Sequence, residues 1–372
     1  MSLSSDQPPT APATPSPLDG VLVLDHSTSV AGQYAGRLFA MNGAEVVLVE
    51  PPEGTPTRRR GARAEGDSFL FQHLNQGKRS LALAPTDDEG PWRELLARAD
   101  VVVRDQRGDH PDHAAPDSVD CVVGDTPESG PYDDWSFSEL VHQALGGAMN
   151  TTGLLDRPPI YGLGERASYA TGTTAYISAV AALHERRRSG RGQRVDATVF
   201  ESVAAMGQNL VSQYSYNGTH ETRARYPGFL AMLQCADAWV VLFVIRNWPT
   251  ACRVFGCEHL LDDPRYATSG ARLEKWPEIV AMFQEAARPM LADDVVEACQ
   301  NGRVSAEKVS SLADLVDSEQ WRVREVMTRL PDGGTGQAAL RSVFTIEGAN
   351  TEVRAPSPPL RSSPDVDAGW GA

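Results

Sequence analysis

The chain has 372 residues, a formal net charge of −15, 41% hydrophobic and 22% charged content, the profile of a soluble globular protein with room for two domains. The acidic balance argues against a nucleic-acid partner, which needs an extended basic surface, and no apolar run is long enough to span a membrane. Five cysteines, odd in number and without paired ligand spacing, imply neither a disulfide framework nor a metal site and suit a reducing, cytoplasmic setting.

Residues 1–16 are rich in Ser, Pro and Thr, lack an apolar run, and read as a flexible tail rather than a leader. From Pro17 the pattern is strand, helix, strand: Val21 to Leu24 and Val46 to Val49 are unbroken apolar runs, and Tyr34 to Met41 has helical spacing that stops at Gly43. This order predicts a Rossmann-like α/β domain, yet no G-x-G-x-x-G is present to mark a dinucleotide site. The loop His26 to Gly32 follows a strand, where open α/β sheets place ligands. Its Ala31 and Gly32 suit either close approach of a ligand or a tight turn.

A helical stretch around Phe69 and Phe71 leads to Asn75, Lys78 and Arg79. Trp92 to Ala99 reads as a helix, and Val101 to Val103 and Val119 to Val123 as buried strands. The basic clusters Arg58 to Arg60, Lys78 with Arg79, and Arg186 to Arg188 are either solvated faces or cations for one phosphorylated cofactor. His110 and His113 lie in an irregular loop that offers no fixed metal-ligand face. His142 reads as an ordinary helix-face histidine.

The central stretch runs from Tyr161 to Ser202. Thr171 to Arg188 is rich in small residues and helical, ending where three arginines meet the negative end of the macrodipole and Gly190 follows. Val195 to Val199 alternates as a strand, and Phe200 to about Tyr216 resumes helical spacing. Residues 229–328 form a smaller α+β domain. It has strands at Leu230 to Cys235 and Trp239 to Val244, and helices near Pro249 to Phe255, Pro277 to Ala287 and Ala292 to Asn301. The larger domain takes residues 17–220 and, after the Gly/Pro-rich return, 330–372.

A series of motifs in one order resembles the class III CoA-transferase family, which includes formyl-CoA transferase, carnitine CoA-transferase and the alpha-methylacyl-CoA racemases. They are P-L-D-G-V-L-V-L-D from Pro17, A-G-Q-Y-A-G-R-L-F-A from Ala31, G-A-E-V-V-L-V-E-P-P from Gly43, L-N-Q-G-K-R-S-L-A-L from Leu74, S-G-P-Y from Ser129, Q-A-L-G-G from Gln143, S-G-R-G-Q from Ser189 and D-D-P-R-Y-A-T from Asp262. The resemblance implies an intertwined dimer and coenzyme A as substrate or ligand, used with an acyl group and a small carboxylic acid. It places CoA contacts at Ala31, Asn75, Lys78 and Arg79, and at Arg107, which alone survives from the family's E-N-F-R-P-G. The racemase G-H-D is replaced by Phe137, Ser138 and Glu139, and the L-G-E-H-T-D ending by L-R-S-S-P-D, Leu360 to Asp365.

The anomaly is Ser168. The family's transferring members carry A-D-Y-x-x-G, and this chain reads A-S-Y-A-T-G from Ala167. In those transferases a carboxylate attacks the thioester to give a reactive anhydride, which thiolate then converts to an enzyme thioester. Serine would give an oxygen ester, so that thiolate attack at its acyl carbon only reverses the first step. Glu165 is the nearest carboxylate and a possible substitute, and no G-x-S-x-G elbow surrounds Ser168. The resemblance therefore implies a CoA-binding member with degenerate or altered catalysis. The alternatives are a non-catalytic subunit paired with a catalytic paralogue, and a racemase-like or other acyl-CoA enzyme.

Overall fold

The computed structural model describes residues 15–63, 66–83, 89–107, 115–219, 223, 228–329, 338–352 and 355–360. The readings made for residues 1–14, for His110 and His113, and for the 361–372 ending fall outside them. The described residues form two compact units, one drawn from 1–152, 159–221 and 325–372, the other from 153–158 and 222–324.

In the first unit the chain runs β1 (Leu22–His26), α1 (Val30–Met41), β2 (Glu45–Glu50), α2 (Phe69–Leu74), β3 (Arg79–Ala82), α3 (Glu89–Arg98), β4 (Val101–Asp105), β5 (Val119–Gly124), α4 (Glu139–Leu145), α5 (Arg166–Ser189), β6 (Arg194–Thr198), α6 (Val199–Met206) and α7 (Gln208–Asn217). The six strands pair in parallel in the order β3-β2-β1-β4-β5-β6. The order reverses between β1 and β4, which opens a crevice at their C-terminal ends. Both faces of the sheet are covered, which is why its central strands read as unbroken apolar runs. Val23, Val46, Val101, Val103 and Cys121 pack with Ala35 and Phe39 of α1 and Ala175 and Ala179 of α5. Leu24, Val47, Leu81 and Val102 pack with Trp92, Leu95 and Leu96 of α3.

Helix α5 lies close on α1 because its inner stripe is small. A Cβ at Gly172 would sit 2.5 Å from the Ala31 carbonyl oxygen and 3.0 Å from the Tyr34 ring. The far end of α5 closes on Gly190, whose φ of 69° is left-handed and whose N–H reaches the Arg186 carbonyl at 2.8 Å, the C-terminal stop read from the sequence. The helix starts at Arg166, earlier than the expected Thr171, so Ser168 stands in its first turn. The expected 200–216 helix breaks at Gly207 into α6 and α7. Strand β3 starts on Arg79, just after Lys78, and gave no strand signal in the sequence.

The second unit is α+β: β7 (Leu230–Gln234), β8 (Trp239–Phe243), α8 (Trp248–Val254), α9 (Ser269–Glu274), α10 (Trp276–Ala287), α11 (Ala292–Asn301), β9 (Ser305–Lys308), α12 (Leu312–Asp317) and α13 (Glu319–Val323). The antiparallel sheet β7-β8-β9 encloses Leu233, Val240 and Leu242 against Trp248, Trp276 and Phe283. Its third strand, Ser-Ala-Glu-Lys, is polar and too short to announce itself.

The chain then returns to the first unit with an antiparallel pair, β10 (Met327–Arg329) and β11 (Ala338–Leu340). Two buried cations hold this return. Arg37, 2% exposed, donates to the carbonyls of His73 and Leu340 and to Gln76. Arg58 forks onto Glu50 at 2.8 and 2.5 Å, lies 3.9 Å over the Phe71 ring, and donates to the Pro358 carbonyl.

Two outcomes follow from this packing. Gly172→Ala forces a methyl against a backbone carbonyl and is expected to destabilise the first unit by about 1–3 kcal/mol in denaturant unfolding, with no change expected if the helices are loosely packed. His73, between Tyr34 and Tyr169, is pulled down to about 4 by burial and then by Arg37. The unfolded chain therefore takes this proton first. The associated stability is full above pH 6.5 and falls by roughly 2–3 kcal/mol as pH drops towards 4. Comparing the unfolding of His73→Gln with wild type across that window should show the slope vanish.

Candidate functional site

A cavity of about 470 Å³ lies at the C-terminal ends of β1, β4, β5 and β6, within the roughly 300–1,000 Å³ of ordinary ligand clefts. Its wall takes Ser29, Val30 and Ala31 from the start of α1, Asp105 to Arg107 from the end of β4 onward, and Gly124 and Asp125 from the end of β5. Phe137, Ser138, Glu139 and His142 come from α4 and its approach, and Glu165 and Ser168 from the start of α5. This is where the strand order says a ligand belongs.

Helix α5 has no side chain of its own to cap it: Glu165 holds the N-cap position without bonding the first turn. Glu139 does so from α4. Its Oε1 accepts from Ala167 N at 2.7 Å, and its Oε2 accepts from Ser168 N and from the Ser168 hydroxyl, both at 3.2 Å. A carboxylate there satisfies free N–H groups and meets the positive end of the helix dipole. Gln143 donates to Glu139 at 2.9 Å and exchanges two bonds with Gly162, so α4 clamps the approach to α5. Ser168 is thereby fixed at the cavity wall as a hydroxyl paired with a carboxylate.

The other predicted residues divide. Glu165 lines the cavity and is paired with Arg60 at 2.5 Å. Ala31 is in the wall, and so is Arg107, whose half-exposed guanidinium donates to the Trp135 carbonyl at 3.1 Å. Asn75 and Lys78 are buried. The Lys78 ammonium spends its three donors on Asp25 at 2.7 Å, the Gln33 carbonyl at 2.7 Å and Asn75 at 2.8 Å. Burial draws its amine below the ordinary value despite Asp25. Arg79 is exposed at the start of the edge strand β3. The basic clusters are thus largely structural: Arg58 is internal, and Arg186 pairs with Asp100 at 2.5 Å.

Three cavity groups escaped the sequence reading. Glu139 caps a helix that begins 27 positions further along. Its only trace was that helix's lack of a Ser, Thr, Asp or Asn cap, which demands an acceptor from elsewhere. His142 is not on an open helix face. It is 3% exposed, its ring is stacked on Phe137 at 5.0 Å, and its Nε2 lies 2.8 Å from Asp125 Oδ1. Asp105 accepts from Thr28 N, the Thr28 hydroxyl and Ser29 N at 2.7, 2.8 and 3.2 Å, and burial pushes its carboxyl upward.

The model of CoA-transferase family III matches residues 18–362. A succinyl-CoA–D-citramalate CoA-transferase of Chloroflexus aurantiacus is 28% identical, over 92% of this chain and 89% of its own length. A probable CoA-transferase of Mycobacterium tuberculosis is 27% identical over 87% of this chain, but that match covers 43% of the relative. Among solved structures, a CaiB/BaiF family protein from Brucella suis superposes with a TM-score of 0.85 at 25% identity, covering 93% of this chain and 97% of its own.

Removing the distant cap should be visible directly. Glu139→Ala is expected to cost about 1–2 kcal/mol and to speed amide exchange at Ala167 and Ser168 ahead of the rest of α5. Unchanged exchange at those two amides would show that the cap carries no weight.

Proposed function

The chain belongs to CoA-transferase family III, and on that premise we propose that its cavity receives the thioester end of an acyl-CoA while the covalent step at Ser168 is altered or lost. The observation that carries this is the pairing of Ser168 with Glu139 at the wall of the cavity. The position that needs a carboxylate holds a hydroxyl, and the hydroxyl cannot sustain the anhydride route. A small carboxylic acid is the other substrate class of the family chemistry.

By the family motifs, Ala31 would let the pantetheine arm pass close to the backbone, and Arg107, at the cavity wall, and Arg79 would meet phosphate oxygens. Asn75 and Lys78 act behind them, by fixing the turn between α2 and β3 through their bonds to Gln33 and Asp25. Glu165 would supply a carboxylate to the reacting centre only by giving up its pair with Arg60.

A second reading, a non-catalytic subunit beside a catalytic paralogue, is favoured by Ser168 itself. It is also favoured by the relative of which the shared region makes up 43%, since that leaves room in one polypeptide for a second unit of similar size. Ile177, Met206, Val211, Tyr214 and Tyr216 are exposed on α5 to α7, which suits an intertwined dimer with a second copy or with that paralogue. Five buried, unpaired cysteines suit a cytoplasmic setting.

Titration calorimetry with CoA tests the binding proposal, and a transfer assay tests the rest. Wild-type chain is expected to bind CoA yet to exchange acyl groups at least about 100-fold more slowly than Ser168→Asp, which restores the family nucleophile. Absence of binding contradicts the first part, and wild-type exchange as fast as the variant's contradicts the second.

A further inference from the structure

We propose that Glu139 is the nucleophile of this chain, a carboxylate acting from α4 at the place where the family motif carries one on α5. This rests on the acyl-CoA binding reading above and supplies the altered covalent step that the reading leaves open. Ser168 and Glu139 line the same cavity, and the Ser168 hydroxyl lies 3.2 Å from Glu139 Oε2. In an aspartate at position 168 the carboxyl carbon would take the place of that hydroxyl oxygen, one bond from Cβ. The carboxylate that the motif lacks and the one that Glu139 brings would therefore stand side by side.

The four wall carboxylates are held differently. Glu165 is paired with Arg60 at 2.5 Å, Asp125 lies 2.8 Å from the His142 ring, and Asp105 is bonded by Thr28 and Ser29. Glu139 is half-buried, and among the described residues its donors are all neutral. Such donors leave it the charge that a guanidinium would neutralise. Its two oxygens are also unequal. Oε1 takes the short bonds, from Ala167 N at 2.7 Å and Gln143 Nε2 at 2.9 Å, and anchors the group. Oε2 takes the long ones, both 3.2 Å, and one of its two donors is the Ser168 hydroxyl. A hydroxyl is a rotor, so turning it away frees a lone pair on Oε2 while the cap on α5 stays in place.

The step balances without a further reagent. Glu139 Oε2 bonds to the thioester carbonyl carbon, the carbon–sulfur bond breaks, and CoA leaves as its thiolate, giving a mixed anhydride on Glu139. The thiolate then attacks the Glu139 carboxyl carbon, the acyl carboxylate departs, and a Glu139 thioester remains. An incoming carboxylate reverses the two steps with its own acyl group, which returns Glu139 and delivers a new acyl-CoA. No proton changes hands, so the sequence needs no base. Wild type exchanges acyl groups through Glu139, more slowly than Ser168→Asp because the same carboxylate also holds the first turn of α5.

The attachment point, not the rate, is the decisive readout. Wild type is incubated with acetyl-CoA or succinyl-CoA, treated with hydroxylamine, digested and sequenced by mass spectrometry, beside an untreated sample. An anhydride or thioester of a glutamate becomes a hydroxamate, and the mark is expected on Glu139 alone. Glu139→Gln keeps an acceptor oxygen for Ala167 N. It should lose the mark and exchange acyl groups at least about 100-fold more slowly than wild type, with the Ala167 amide still protected. CoA binding without a mark on Glu139, or a mark on Glu165 or acyl mass on Ser168 instead, overturns the assignment of Glu139 alone. Should the variant not fold, the wild-type map decides by itself. Calorimetry with CoA on the same samples keeps the two readings apart, since absence of binding overturns the binding reading and this one with it.

Discussion

The site depends on one carboxylate placed over the first turn of one helix. Helix α5 begins at Arg166 without a capping side chain, so its first N–H groups need an acceptor that the local sequence does not contain. Glu139 supplies both oxygens, reaching Ala167 N at 2.7 Å and Ser168 N at 3.2 Å. Because Glu139 is the first residue of α4, the same bonds fix α4 against α5 and set His142, one turn further on, beside Asp125. At the other side the close approach of Gly172 to Ala31 fixes α5 against α1. The cavity is the space left between these two contacts and the strand ends. Ser168 belongs to this scaffold, because its hydroxyl is one more donor to Glu139.

Charge is used unevenly around that scaffold. The buried pairs Lys78–Asp25 and Arg58–Glu50, with side chains no more than 5% exposed, carry a large desolvation cost that is offset only because each cation is fully bonded. Lys78 has three acceptors, and Arg58 adds Asp67 and the Pro358 carbonyl. Such pairs contribute specificity of arrangement, in this case the turn between α2 and β3 and the path of the returning chain. At the cavity wall Arg60 and Arg107 are half exposed, so their present ion pairs contribute little.

The sheet was largely legible in the sequence, because strands covered on both faces leave apolar runs such as Val21 to Leu24 and Val101 to Val103 that nothing else explains. Strands β3 and β9 were not, since Arg-Ser-Leu-Ala and Ser-Ala-Glu-Lys are short edge segments whose conformation is set by pairing with β2 and β8. Ser168, Ala31 and Arg107, singled out from separate local motifs, line one cavity. The partners that give Ser168 its surroundings could not be read from the sequence. Glu139 and Asp125 reach Ser168 and His142 across sequence separations of 29 and 17 residues, and no periodicity encodes a contact of that kind. Lys78 shows the converse: its motif points to a ligand, whereas its buried ammonium donates to three internal acceptors.

The resting place of a CoA thiol decides what this cavity does, and a crystal structure of the chain with CoA tests it most directly. Density for the pantetheine sulfur is expected in the cavity between the Ser168 hydroxyl, Glu139 and the His142 ring, with no covalent link to Ser168. CoA bound elsewhere on the first unit, with that cavity filled by side chains, would contradict it.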